Sequence, residues 1–299
     1  MKRDACTAIV LWLIAACCYA GPNVTDSAGR KVTLSAPAET IVGLAPHIVE
    51  NLFSAGAGNK LVGVVSYSDY PPAATDIPQV GSAYAWSLET VVALNPDLVV
   101  LWGSGNGLAA LPQLERLGLT VYVSEPRQLK DIAQSIRDLG VLAGTDTVAE
   151  KNASEFEQVI GELRTSYSSE QTLQVFYQIW NKPLQTVNGE HMISHVIELC
   201  GGRNVFAGEP QLAPKISLES VLHLDPDVIV ASGMDASRPE WLDEWQQYKS
   251  LQAVQNNNLL HVHPDIIQRP TARIAAGARD LCEKLDSARS QSFAGSSPH

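Results

Sequence analysis

The sequence predicts an α/β protein: two parallel-sheet, Rossmann-like lobes joined by a single long helix, with a ligand cleft between them. Three observations predict this. Residues 87–100, "SLETVVALNPDLVV", return 130 positions later as "SLESVLHLDPDVIV", identical at eight of fourteen positions. Short apolar runs alternate with helical stretches on both sides of the chain, as a parallel sheet covered by helices requires. Between the two copies, residues 146–167 form one amphipathic stretch. Its apolar residues are Val148, Phe156, Val159, Ile160, Leu163 and Tyr167. A continuous helix of that length spans roughly 30 Å.

The elements follow in order. Residues 1–20 open with basic residues, continue with an apolar run and end in small residues, which is the pattern of a secretory signal. Two processing routes fit: cleavage after Ala20, or lipidation of Cys17 in "IAAC". Residues 41–44 and 61–65 read as strands around a helix over 47–55, and the two prolines of "SYSDYPP" break the chain into a loop. Ser87 caps a short helix that Pro96 ends, and residues 98–102 form a buried strand. Two further helices enclose "LTVYVS". After the long helix, "LQVFYQIW" starts a second series, which closes on "LLHVH" and a helix from about residue 273 to 288. The expected units are an N-terminal lobe over 38–143, a connecting helix over 144–170 and a C-terminal lobe over 171–292.

Composition excludes several classes. With 21 Lys and Arg against 32 Asp and Glu, the net charge is −11, which argues against a phosphate-tracking groove and so against nucleic acid. His191 and His195 are spaced i, i+4, and His261 and His263 share one strand face. Neither pair comes with a Cys or carboxylate pattern, so no metal site is expected. "GSGNG" (103–107) resembles a nucleotide loop but lacks the GxGxxG spacing. No Walker sequence, GxSxG or Ser–His–Asp set stands out, so no catalytic residue is assigned and the chain is not expected to be an enzyme.

Several residues point to a binding cleft. Tyr67 lies in a loop after a strand, where α/β sheets take ligands. Tyr84, Trp86 and Trp102 add aromatic surface, and flat rings suit a flat, largely apolar ligand. His47 starts a helix at the same edge. Glu89 and Glu219 are equivalent in the repeat. Each complements a helix dipole, and together they also suit docking onto a two-fold partner bearing basic residues. Cys200 and Cys282 are the two cysteines beyond the signal, and an oxidising compartment makes a disulfide between them plausible.

"SYSDYPP", followed by "SLETVVALNPDLVVLW", and later "IELCGGRNVF", "SLESVL" and "DIIQRPTARI", resemble the periplasmic cobalamin-binding proteins of bacterial ABC importers. These belong to a helical-backbone class of receptors shared with haem and iron–siderophore carriers. The resemblance runs from about residue 40 to 285. It implies two lobes with limited hinge motion, cobalamin as transported ligand, delivery to an ABC permease dimer in the inner membrane, and a periplasmic monomer. By resemblance, Tyr67 contacts the corrin, and Asp265, Ile266, Ile267, Gln268 and Arg269 supply contacts from the second lobe. Glu89 and Glu219 match glutamates that pair with permease arginines, and Cys200 and Cys282 match a family disulfide. The chain departs from the pattern at Ala83 and Ala213, where the cobalamin carriers have tryptophans; Tyr84 and Trp86 stand nearby to take over the stacking. Ser82 stands where haem carriers have a tyrosine. The alternatives are a haem or iron–siderophore carrier on this scaffold and, in another class, a periplasmic enzyme using the cleft.

Overall fold

A computed structural model describes residues 21–167, 171–233 and 237–294. The signal expected over residues 1–20 lies outside them. An N-terminal hairpin, β1 (Asn23–Thr25) and β2 (Lys31–Thr33), precedes the first lobe. That lobe contains β3 (Ile41–Gly43), α1 (Pro46–Ser54), β4 (Leu61–Gly63), α2 (Leu88–Ala93), β5 (Leu98–Trp102), α3 (Leu111–Arg116), β6 (Val121–Ser124) and α4 (Leu129–Ala143). After α5 (Asp146–Tyr167) come β7 (Leu173–Gln178), the hairpin β8 (Trp180–Asn181) and β9 (Leu184–Gln185), α6 (Met192–Leu199) and β10 (Gly202–Asn204). The chain closes with α7 (Leu218–Leu224), β11 (Val228–Ala231), α8 (Gln252–Gln255), β12 (Leu259–His261), α9 (Pro264–Ile267) and α10 (Ile274–Ala294).

The sequence repeat has a topological counterpart. The first sheet runs β4-β3-β5-β6 and the second β10-β7-β11-β12, all parallel. Each is therefore ordered second, first, third, fourth. The repeated segment is the helix before the third strand, plus that strand. Its serine caps the helix in both copies: Ser87 Oγ accepts the Thr90 N–H and Ser217 Oγ accepts the Ser220 N–H, each at 3.1 Å. The cap explains why the motif survives as a unit.

Alternation along the strands divides the core. Leu98 and Val100 face one side of their sheet, with Tyr122; Val99 and Leu101 face the other, with Val121 and Val123. In the second sheet Val175, Tyr177 and Val230 face inward, while Phe176, Ile229 and Ala231 pack against Trp245 outside. The inner faces of both sheets belong to one continuous core, filled by α4, α5, α6 and α10.

α5 spans the expected residues and presents the expected face, with Val148 alone turned outward. It buries Ala149, Ala153, Phe156, Ile160 and Leu163, while Val148 is exposed. Gly140 of α4 gives the reason. A Cβ there would stand 2.2 Å from the Ala149 Cβ, so two small residues let the helices meet backbone to backbone. Small residues, not the bulkier Val148, mark the contact.

Cys200, which ends α6, is joined to Cys282 in α10, and both are fully buried. The bridge closes a loop across 82 residues. A Cys200→Ala/Cys282→Ala variant is expected to lose about 4 kcal/mol of stability, chiefly through the freed denatured chain. Denaturant titration measures it; a loss below about 1 kcal/mol would contradict that account.

Candidate functional site: a cleft bridged by charge

In a 2-1-3-4 parallel sheet the strand order reverses between the first and third strands, and ligands bind outside their carboxyl ends. In the first lobe these strands are β3 and β5. His47 follows β3 and Trp102 ends β5, and their rings meet edge to face at 5.1 Å. Tyr84 lies against the far side of this pair, its ring 6.1 Å from that of Trp102.

Local structure holds these rings in place. Tyr84 sits in a tight turn in which the Ser82 and Ala85 backbones exchange hydrogen bonds, and it is 77% exposed. Gly81, at φ +133°, starts the turn; a Cβ there would strike the Ala85 carbonyl at 2.5 Å. Asn106, from the segment that resembles a nucleotide loop, ties three pieces together. Its Oδ1 accepts the Trp102 N–H at 2.6 Å, and its Nδ2 donates to the carbonyls of Leu44 and Ala83. GSGNG is thus a brace for the aromatic wall.

Tyr67 is 78% exposed and holds a φ of +64°. A bulky residue in that region costs on the order of 1–3 kcal/mol and persists only where its surroundings impose it. The same loop is held from the other lobe two and three residues on. Asp69 Oδ1 accepts from Arg269 Nη1 at 2.7 Å, and the Arg273 guanidinium lies 3.9 Å over the Tyr70 ring.

Behind that loop stands Glu50 of α1, only 3% exposed. Its carboxylate takes Arg269 Nη1 at 2.8 Å and, in a two-point grip, Arg273 Nε at 2.9 Å and Nη2 at 2.7 Å. Asn51 Nδ2 donates to the Pro270 carbonyl at 3.1 Å. Asp265 adds a carboxylate 3.4 Å from Arg269 Nη2. Burial opposes it, but the Arg269 hydrogen bond and charge hold the Asp69 carboxyl below its ordinary value. Desolvation works against the Arg269 charge, and its partners Asp69 and Glu50 outweigh that and raise its pKa.

The second-lobe segment is divided in its roles. Ile267 is fully buried in the core and Ile266 is half-buried. Gln268 donates to Ser232 Oγ and to the Gly233 carbonyl, bracing the loop after β11. Arg269 is engaged across the cleft. Asp265 keeps a more open side chain than Arg269, at 39%. In the first lobe Trp86 packs onto the outer core and Trp102 onto the central one. Glu89 and Glu219 are exposed in the first turns of α2 and α7, and neither meets a cation among the described residues. Sequence reasoning missed Glu50, Arg273 and Asn106. The clamp pairs residues 219 and 223 positions apart, and no local pattern announces such a pairing.

His47 is buried, with its Nε2 unpartnered. Desolvation, then the Arg269 charge, lowers its pKa from 6.5 to about 3. His191, which caps α6, is half-buried. Desolvation and the neighbouring His195 take its pKa to about 4, and its Nδ1 accepts the Ile193 N–H. Between these values and 6.5 the unfolded chain binds protons that the folded chain refuses, so stability falls as pH drops below about 6.5. At pH 5 each histidine is expected to remove about 2 kcal/mol relative to neutral pH. Urea titrations of wild type and His47→Gln at both pH values check this. An equal pH-dependent loss in the two proteins would remove His47 from the account.

A family profile described as "Periplasmic binding protein" matches residues 41–266. This chain belongs to that periplasmic binding protein family. It is 38% identical over 255 residues to the vitamin B12-binding protein of Vibrio cholerae, covering 85% of this chain and 92% of that one. It is 35% identical over 272 residues to the protein of the same name from Vibrio campbellii, covering 91% and 97%. The solved structure of the periplasmic vitamin B12 binding protein of Vibrio cholerae superposes with a TM-score of 0.78 at 36% identity, over 85% of this chain and 98% of that one. The α/β architecture of two parallel-sheet lobes and the Cys200–Cys282 bridge expected from sequence are both present in this family member.

Proposed function

We propose that this periplasmic binding protein captures a corrinoid of the vitamin B12 class between its lobes and delivers it to an ABC importer, with no chemical step. The observation that carries the reading is the aromatic wall at the switch point, exposed Tyr84 on Trp102, with exposed Tyr67 in the loop that the second lobe grips, in a chain 38% identical to a vitamin B12-binding protein. Flat rings offer apolar area to a macrocycle, and Asp265 offers an acceptor to the amides of its rim. A cleft already bridged by ion pairs loses little to reorganisation on binding. The exported chain, freed of its signal after Ala20 or tethered by lipid at Cys17, acts as a monomer in the periplasm. Glu89 and Glu219, one on each copy of the repeat, dock onto basic residues of an inner-membrane permease dimer.

Calorimetric titration of the mature protein with cyanocobalamin, with haemin in parallel, tests the reading. One-to-one binding of cyanocobalamin is expected, weakened about ten- to a hundredfold by Tyr67→Ala through lost ring burial. Binding of haemin alone would transfer the function to a haem carrier. Unchanged affinity in Tyr67→Ala would take that ring out of the site.

A further inference from the structure

The inter-lobe cluster joins three carboxylates, Glu50, Asp69 and Asp265, to two guanidiniums, Arg269 and Arg273. Its formal charge is therefore −1. Both guanidiniums are already paired with carboxylates. Arg269 is shared among all three carboxylates, and Arg273 is gripped by both oxygens of Glu50 with its face against Tyr70. The carboxylates are the open side of the cluster: Asp69 is 52% and Asp265 39% exposed at the side chain, against 17% and 20% for the two arginines. His47, the remaining titratable group beside the aromatic wall, is neutral at physiological pH.

We propose that this cluster selects cargo by peripheral charge: it admits a macrocycle whose rim carries neutral amides and rejects one carrying ionised carboxylates. The inference rests on the corrinoid reading and deepens it. Amide N–H groups can donate to the outward oxygens of Asp69 and Asp265. A rim carboxylate has no donor there and meets a like charge at short range in a site of reduced dielectric. The same balance disfavours haem, whose two propionates would need cations that the clamp has already engaged. Glu50 and Asp69 are then specificity-determining residues, through their hold on the arginines and, for Asp69, through its own open oxygen.

The test compares cyanocobalamin with its monocarboxylic acids, the isomers made by hydrolysing one rim propionamide. Shape is kept and one negative charge is added. Titrating the full mature protein at pH 7, at least one isomer is expected to bind about 10–100-fold more weakly than cyanocobalamin. In Asp69→Asn that ratio is expected to shrink about tenfold, with Glu50→Gln moving it the same way. Because the ratio is read within each variant, general loss of affinity does not confuse it. Should Glu50→Gln not fold, the half-exposed Asp69 site still decides. Equal affinity for all isomers, or a ratio unmoved in Asp69→Asn, overturns the proposal. If cyanocobalamin itself does not bind, the corrinoid reading fails, and the charge rule is judged on haemin against its dimethyl ester. Tighter binding of the ester upholds it; equal or tighter binding of haemin, or binding of neither, overturns it.

Discussion

A receptor carrying both Glu89→Lys and Glu219→Lys is expected to bind cargo as the wild type does and to support no uptake. The two glutamates occupy equivalent first-turn positions, each beside a capping serine, so their backbones are fixed before any partner arrives. Both are exposed and unpaired among the described residues. The Glu219 backbone N–H and then the Ser217 hydroxyl hold the Glu219 carboxyl below its ordinary value. Reversing the charge turns attraction to a basic partner into repulsion at both points of contact. Two reversals together weaken docking by about a thousandfold or more. Uptake of labelled corrinoid by cells whose own receptor gene is deleted provides the readout, with calorimetry on the purified variant as control. Uptake above a tenth of wild type, with normal cargo affinity, would discard the docking assignment.

The second large effect concerns Glu50. Removing one partner of a buried ion pair strands the remaining charge, at about 3–5 kcal/mol. Glu50→Ala strands part of two guanidiniums at once, in the shallow interior where α1 meets the segment after α9. A loss in that range is expected by urea denaturation, with a smaller loss in Glu50→Gln, which keeps the side-chain volume and one acceptor oxygen. Asp69→Ala breaks a half-exposed pair to the same arginine and is expected to cost below about 1 kcal/mol. If Glu50→Ala and Asp69→Ala proved equally mild, the clamp would be an ornament of the closed cleft and not part of what holds it.

These contrasts mark how far the sequence could be read. Short-range rules found the repeat, the capping serines and the span of the connecting helix, because each is written within a few residues. Tyr67 and Tyr84 were legible as loop aromatics after strands, and both are exposed. What escaped is non-local. The place of Ala149, rather than Val148, on the buried face of α5 depends on Gly140 of another helix. Glu50 looks like an ordinary helix-surface residue until its arginines arrive from the far end of the chain. Asn106 sits in a glycine-rich stretch whose composition suggests phosphate, while its three hydrogen bonds are purely internal. Arg269, expected to meet the ligand, is largely engaged by Glu50 and Asp69.

The single core shared by both sheets ties the lifetime of the protein to its cargo supply. Ile41, Val100, Ala149, Val175 and Leu281 lie in one buried cluster, so the two halves share their central packing. Stabilisation gained at the cleft is therefore felt along the whole chain. A ligand present at a hundred times its Kd adds about 2.7 kcal/mol, which lowers the unfolded fraction about a hundredfold. Filled copies would then outlast empty ones among surrounding proteases, and receptor abundance would track nutrient availability with no change in synthesis.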